Sequence, residues 1–206
     1  VQEYSVPSGV NFPSNLTVTA NGNIWYSSGL SPAVGYVSPN GTVAPAVNTS
    51  SASSHGMDGL TVGKDGKVWF CEFWDNVIGS ISSTGAVTTY AIPKKYGPQG
   101  ITLGPDGHLW ITTFDNYVGK VNSVGKGVAK VSWFHHKTEG VKQIINWNRA
   151  LYVQETDRIG RVSTGGVITD SIKMPSGGTV AGLAVGPDGN LWFTENAKSG
   201  SSINHV

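Results

Sequence analysis

A single cysteine, Cys71, excludes an internal disulfide framework. It sits inside a β-rich run, where a small buried hydrophobe or a reactive thiol could stand; the first is expected. Charge is scarce as well: 13% of residues are charged, with 14 Lys and Arg against 13 Asp and Glu, and no block of one sign. A nucleic-acid partner is therefore not expected. No apolar run is long enough to cross a membrane as a helix. No signal peptide is visible, which fits a mature form beginning at Val1. Few charges, 28 glycines and abundant Ser and Thr suit an extracellular protein. So do the three acceptor sequons starting at Asn15, Asn40 and Asn48.

What the chain has in quantity is one repeated unit. Gly186-Pro187-Asp188-Gly189-Asn190-Leu191-Trp192-Phe193-Thr194-Glu195 reads as a tight turn and then a strand, because Asp tolerates the bend and Gly accepts a positive φ. Copies begin at Thr19, Gly63 and Gly104, and a worn copy begins at Asn146. The aromatic anchors Trp25, Trp69, Trp110, Tyr152 and Trp192 recur about every 40 residues, the signature of a repeat architecture. An apolar run precedes each unit, an Ile-Gly-Ser-Ile-like strand follows, and a fourth strand such as Val87–Pro93 ends the repeat. Four short strands joined by hairpins make the blade of a β-propeller.

The expected fold is all-β: one domain over 1–206, a five-bladed propeller of four-stranded antiparallel blades. The segment Val1–Pro7 matches Val87–Pro93 at Val, Tyr and Pro, so 1–7 is expected to pair into the last blade, 180–206, and close the ring. Trp25, Trp69, Trp110 and Trp192 are expected to be buried between blades. A monomer is expected.

The Gly-Pro-Asp-Gly-Asn-Leu-Trp-Phe-Thr-Glu unit, followed by an Ile-Gly-Arg-Val-like strand, resembles the repeat of the virginiamycin B lyase (streptogramin lyase) family across nearly the whole chain. Antibiotic lyases of that family have seven blades and open the ester bond of a cyclic depsipeptide by elimination. They use histidine and glutamate on one face with a bound magnesium ion. The resemblance puts Glu72, Glu155 and Glu195 at positions where the family places functional carboxylates. The family's histidine two residues further on is replaced by Trp74, Asp157 and Ala197.

Strand order puts the ends of each second strand beside the segment leading into each first strand. Glu72, Glu155 and Glu195 are therefore expected to meet at one mouth, surrounded by Ser14, Asp58, Gln99, Lys142 and Ala181. Three converging carboxylates could hold Mg²⁺ or Ca²⁺ or do acid–base work; alternatively each caps its own hairpin. His55 and the pair His135-His136 fall on the same face, as general bases or as surface residues; His108 and His205 fall at the other end. Phe73, Trp74, Phe114, Tyr117, Trp133 and Phe134 crowd that face too, suiting sugar rings or packing between blades. Asp75-Asn76 and Asp115-Asn116 read as turn residues first.

Two functions follow. One is a secreted, lectin-like binding protein that takes a glycan or small molecule through Asp58, Glu72, Trp74, Gln99, Lys142 and Asp157. The other is a metal-assisted lyase or hydrolase, with Glu155, Glu195, His135 and His136 as catalytic groups and Glu72, Glu155 and Glu195 as metal ligands.

Overall fold

The repeated unit folds as its residues dictate. In the turns at Asp65, Asp106 and Asp188, the aspartate Oδ1 accepts the backbone N–H two residues on, at 3.2, 3.2 and 3.0 Å. The same oxygen accepts the indole Nε1–H four residues on, from Trp69, Trp110 and Trp192, at 3.0, 3.0 and 3.2 Å. The indole then lies so close to the first glycine of the turn that a Cβ on Gly104 would stand 2.4 Å from the Trp110 ring. Turn cap, strand start and core anchor are thus one hydrogen-bonded unit. The worn copy at Asn146 replaces it with a two-residue hairpin: Asn148 and Arg149 take φ of 47° and 60°, joining Trp147 to Ala150.

The computed structural model describes residues 3–49, 56–93, 96–137 and 140–196. They contain strands and turns only. The first meander is β1 (Pro13–Val18), β2 (Ile24–Ser28), β3 (Ala33–Val37) and β4 (Val47–Asn48). The second is β5 (Gly59–Val62), β6 (Val68–Glu72), β7 (Val77–Ile81) and β8 (Val87–Ala91). The third is β9 (Pro98–Leu103), β10 (Leu109–Thr113), β11 (Tyr117–Gly125) and β12 (Val128–His135). The fourth is β13 (Ile144–Trp147), β14 (Ala150–Gln154), β15 (Arg158–Val162) and β16 (Ile168–Lys173). A hairpin of β17 (Thr179–Val185) and β18 (Leu191–Asn196) follows. All strand pairs are antiparallel except a single parallel contact, Val128 against Ala91, which joins β8 to β12 and merges the second and third meanders into one eight-stranded sheet.

The meanders pack face to face, so alternate residues of a middle strand serve different cores. In β6, Val68 and Phe70 join Trp25 and Val34 of the preceding repeat, together with Met57 and, from β5, Leu60. Trp69 and Cys71 join Ile101 and Ile111 of the following one. Trp110 packs on Val141, Ile144 and Leu151 in the same way. Cys71 is fully buried and its thiol pKa is pushed well up, by burial first, so it is a core residue and not a nucleophile.

Trp25, Trp69 and Trp110 are buried as expected, but Trp192 is 48% exposed. The neighbour that covers the others is the next meander, and no described strand covers Trp192. Residues 3–7 form no strand, and the expected partners of 1–7 lie outside the described residues, as do His55 and His205.

Candidate functional site

The first strand of each repeat borders a central cavity of about 610 Å³. Ser14 and Asn15 reach it from β1, Asp58 from just before β5, Gln99 from β9, Lys142 and Gln143 from the start of the fourth repeat, and Ala181 from β17. The ring Ser14, Asp58, Gln99, Lys142, Ala181 read from the sequence is therefore brought together. Asp58 is exposed as a residue, yet partial burial of its carboxyl raises its pKa to about 6, offset in part by a hydrogen bond from the Phe73 backbone. The Asn15 side-chain amide holds the Asp58 carbonyl. Gln143 was missed by sequence reasoning. Its amide bonds reciprocally with Leu183, donating to the carbonyl at 3.0 Å and accepting from the N–H at 2.7 Å, and so joins the fourth repeat to β17. Side-chain amides that stand in for a missing strand partner carry no periodic signal.

An aromatic ridge rises beside Asp58. The Phe73 ring meets Trp74 edge-on at 5.0 Å and Phe114 at 5.6 Å. Trp74 and Phe114 are about two-thirds exposed, at 66% and 64%. Asn76 and Asn116 hold the turns behind these aromatics in the left-handed region, at φ of 52° and 59°, the turn role expected of them.

The three glutamates do not share the mouth. Each is buried in a different interface between repeats. Glu72 Oε1 accepts the Thr49 hydroxyl at 2.6 Å. Burial raises the Glu72 pKa, the Thr49 bond opposes this, and the nearby Asp75 adds to it. Glu195 Oε1 accepts the Gly178 N–H at 2.9 Å and the Ser176 hydroxyl. Glu155 Oε2 stands 3.9 Å from Arg158 Nε. The reason is the period of a strand: Phe70 and Glu72 share one face of β6, Val153 and Glu155 one face of β14, Phe193 and Glu195 one face of β18. That face looks at the preceding repeat, and the cavity is bordered mainly by the first strands and the residues leading into them. The metal set Glu72, Glu155, Glu195 is thereby corrected. Among the described residues no three His, Cys, Asp or Glu side chains come together to hold a metal ion, so the magnesium of the family does not fit this set.

Part of the catalytic set is brought together elsewhere. His135, His136, Lys137, Glu155 and Arg158 line a separate cleft of about 520 Å³, whereas Glu195 is remote from it. His136 is buried, and burial together with the adjacent His135 lowers its pKa, with a hydrogen bond to the Gly166 backbone acting the other way. His135 is exposed, its ring tilted 66° against Tyr117 at 4.8 Å. Asp157 does not join the central ring: it is exposed and pairs with Arg158 through two bonds of 2.8 and 3.0 Å, which lower its pKa. His108, at the far end, has Nδ1 3.5 Å from Asp106.

The model of the virginiamycin B lyase family matches residues 1–195. The chain belongs to that family. A catalytically inactive virginiamycin B lyase from Staphylococcus aureus, solved with quinupristin, superposes with a TM-score of 0.78 at 26% identity, over 93% of this chain and 66% of that one. A streptogramin B lyase structure gives 0.74 at 28% identity, over 87% and 61%. The chain thus spans about two-thirds or less of those lyases. The β-propeller domain of Cps50 (Swd1) from Myceliophteria thermophila, at 12% identity and a TM-score of 0.67, shares the fold alone. No curated protein matches the sequence. In this chain Glu72 and Glu195 hold segments that lead into their own repeats, through Thr49 and through Ser176 and Gly178.

Proposed function

We propose that this chain is a secreted, monomeric ligand-binding β-propeller that recognises a glycan or other small hydroxylated molecule at the central cavity. The observation that carries the reading is Asp58. Its carboxylate stands on the cavity wall, beside the exposed Trp74–Phe73–Phe114 ridge, with Asn15, Gln99 and Lys142 lining the same space. A flat aromatic surface next to carboxylate and amide groups suits a sugar ring, whose apolar face stacks while its hydroxyls bond. Sparse charge and abundant Ser and Thr support action outside the cell. A screen of the purified protein by glycan array and by small-molecule melting shifts tests the reading. Ligands that contact Asp58 and Trp74 support it; ligands seated only in outer grooves contradict it.

The same reading takes the repeats as a closed ring of five blades, the fifth completed by residues 1–7 and 203–206. Leu16 and Ile24, equivalent to the buried Leu60 and Val68, are 68% and 44% exposed, and Trp192 on β18 is also open. These are the side chains a completed fifth blade would cover. A Tyr4→Ala, Trp192→Ala double-mutant cycle checks closure. A coupling of about 1 kcal/mol is expected for an aromatic pair in contact, and strict additivity speaks for an open ring.

An enzymatic alternative, a lyase or hydrolase, is favoured by one observation: Glu155 and His136 open on the same cleft. Turnover of an ester or glycoside that is lost in His136→Gln would support it. Turnover unchanged in that variant would remove it.

A further inference from the structure

The cleft that holds His136 is built differently from the central cavity. Its walls come from the end of the fourth strand β12 and from β16, with Glu155 at the end of β14 and Arg158 at the start of β15. Nothing about the central site requires it. Three features give it a definite chemical preference.

The first is His136. The ring is 5% exposed, and its Nε2 makes no hydrogen bond among the described residues. A buried imidazole nitrogen without a partner is costly unless something in the cleft supplies one. With the pKa lowered, the ring is neutral at pH 7 and one of its nitrogens is an acceptor. The second is charge. Lys137 and Arg158 line the cleft against one acid, Glu155. Arg158 is engaged with Asp157, but Lys137 is exposed and makes no ion pair among the described residues. The third is an apolar wall of Phe134, Val167 and Ile168, with Val167 62% exposed.

We infer that this cleft is a second binding site, for a small anion that also carries hydroxyl groups, of the sugar-acid class. The carboxylate pairs with Lys137 and Arg158 at the rim, a hydroxyl donates to His136 Nε2 at the floor, and the ring carbons lie on Val167 and Ile168. A bare anion leaves the histidine unsatisfied, and a neutral sugar leaves Lys137 unpaired. Binding of this kind needs neither a metal nor turnover, so it stands or falls separately from the enzymatic alternative.

The test uses the full chain and three probes: D-glucuronate, D-glucose and acetate. Calorimetric titration gives affinities, while ¹⁵N NMR of the imidazoles follows His136. The expected result is glucuronate binding that shifts the His136 Nε2 signal, with glucose and acetate at least tenfold weaker. Lys137→Gln, a change at an exposed side chain, is expected to weaken glucuronate at least fivefold. His136→Gln is expected to do the same if its melting point matches the wild type. Equal binding of all three probes would overturn the inference. So would an unmoved His136 signal, or unchanged affinity in Lys137→Gln. Glucuronate binding lost in Asp58→Asn but kept in Lys137→Gln would also overturn it, by moving the sugar acid to the central cavity.

Discussion

The indole Nε1 of Trp110 donates a 3.0 Å hydrogen bond to Oδ1 of Asp106, the residue that caps the turn four positions earlier. The same pairing recurs between Trp69 and Asp65 and between Trp192 and Asp188, so one carboxylate oxygen serves a turn N–H and a core indole together. Asp65→Ala leaves both donors without that acceptor. It should cost about 1–3 kcal/mol, the range for donors that lose a charged partner. Urea unfolding checks it, and an unchanged midpoint would mean that the hydrogen bond contributes nothing.

The indoles themselves differ in burial, and stability should follow. Trp110 is 0% exposed, and Trp110→Ala should cost about 3–5 kcal/mol. In an open ring Trp192→Ala should cost clearly less. Closure by residues 1–7 and 203–206 would bring it level with Trp25→Ala. Denaturant midpoints of the three variants separate these cases.

Glu195 should behave as a structural residue. Its Oε1 holds the Gly178 N–H and the Ser176 hydroxyl, so Glu195→Ala should destabilise by about 1.5–3 kcal/mol, the range for hydrogen bonds to a charged group. Ligand affinity at the central cavity should not change. Lost affinity at full stability would return Glu195 to the binding site.

These contrasts show how much of the molecule was legible in the sequence. The Asp-Gly-x-x-Trp spacing predicted turns, strands and the repeat, because those are local hydrogen-bonding facts. The cavity ring of Ser14, Asp58, Gln99, Lys142 and Ala181 was legible because equivalent positions in a repeat lie at equivalent radius. The glutamates were misplaced because strand order was read without side-chain alternation: residues equivalent along the chain are equivalent in radius, but their side chains can all turn aside into the interfaces. The exposure of Trp192 depends on what packs against β18 from outside its own repeat, and a local motif carries no such information. Nor could the sequence show that Glu155 would share a cleft with His135 and His136 while Glu195 would not, since that cleft is built from two successive repeats.

Acidity should act on Asp58 first. Its folded pKa of about 6 lies above the ordinary carboxylate value, so its contribution to stability is fully present below about pH 4 and is lost as pH rises through about 6. Asp58→Asn should therefore be more stable than the wild type at pH 8 and equal to it at pH 4. Ligand affinity has the opposite slope, because the ionised carboxylate is the acceptor, and should rise from pH 5 to pH 7. Melting and binding curves across that range check both signs.

His136 has the reverse sense. Its folded pKa is depressed below the ordinary imidazole value, so its contribution is present above about pH 6.5 and is lost as pH falls through the folded value. His136→Gln should flatten the acid limb of the stability curve between pH 7 and pH 5. An acid limb of unchanged slope would assign the loss to other groups.

The central claim is that the cavity bounded by Asp58, Gln99 and Lys142 is where this protein holds its ligand. The most direct measurement is one glycan array probed in parallel with the wild type, Asp58→Asn and Trp74→Ala, all confirmed folded by their melting curves. The account predicts a defined set of bound glycans in the wild type, weakened at least tenfold in both variants. An identical glycan set at unchanged strength in both variants would contradict it.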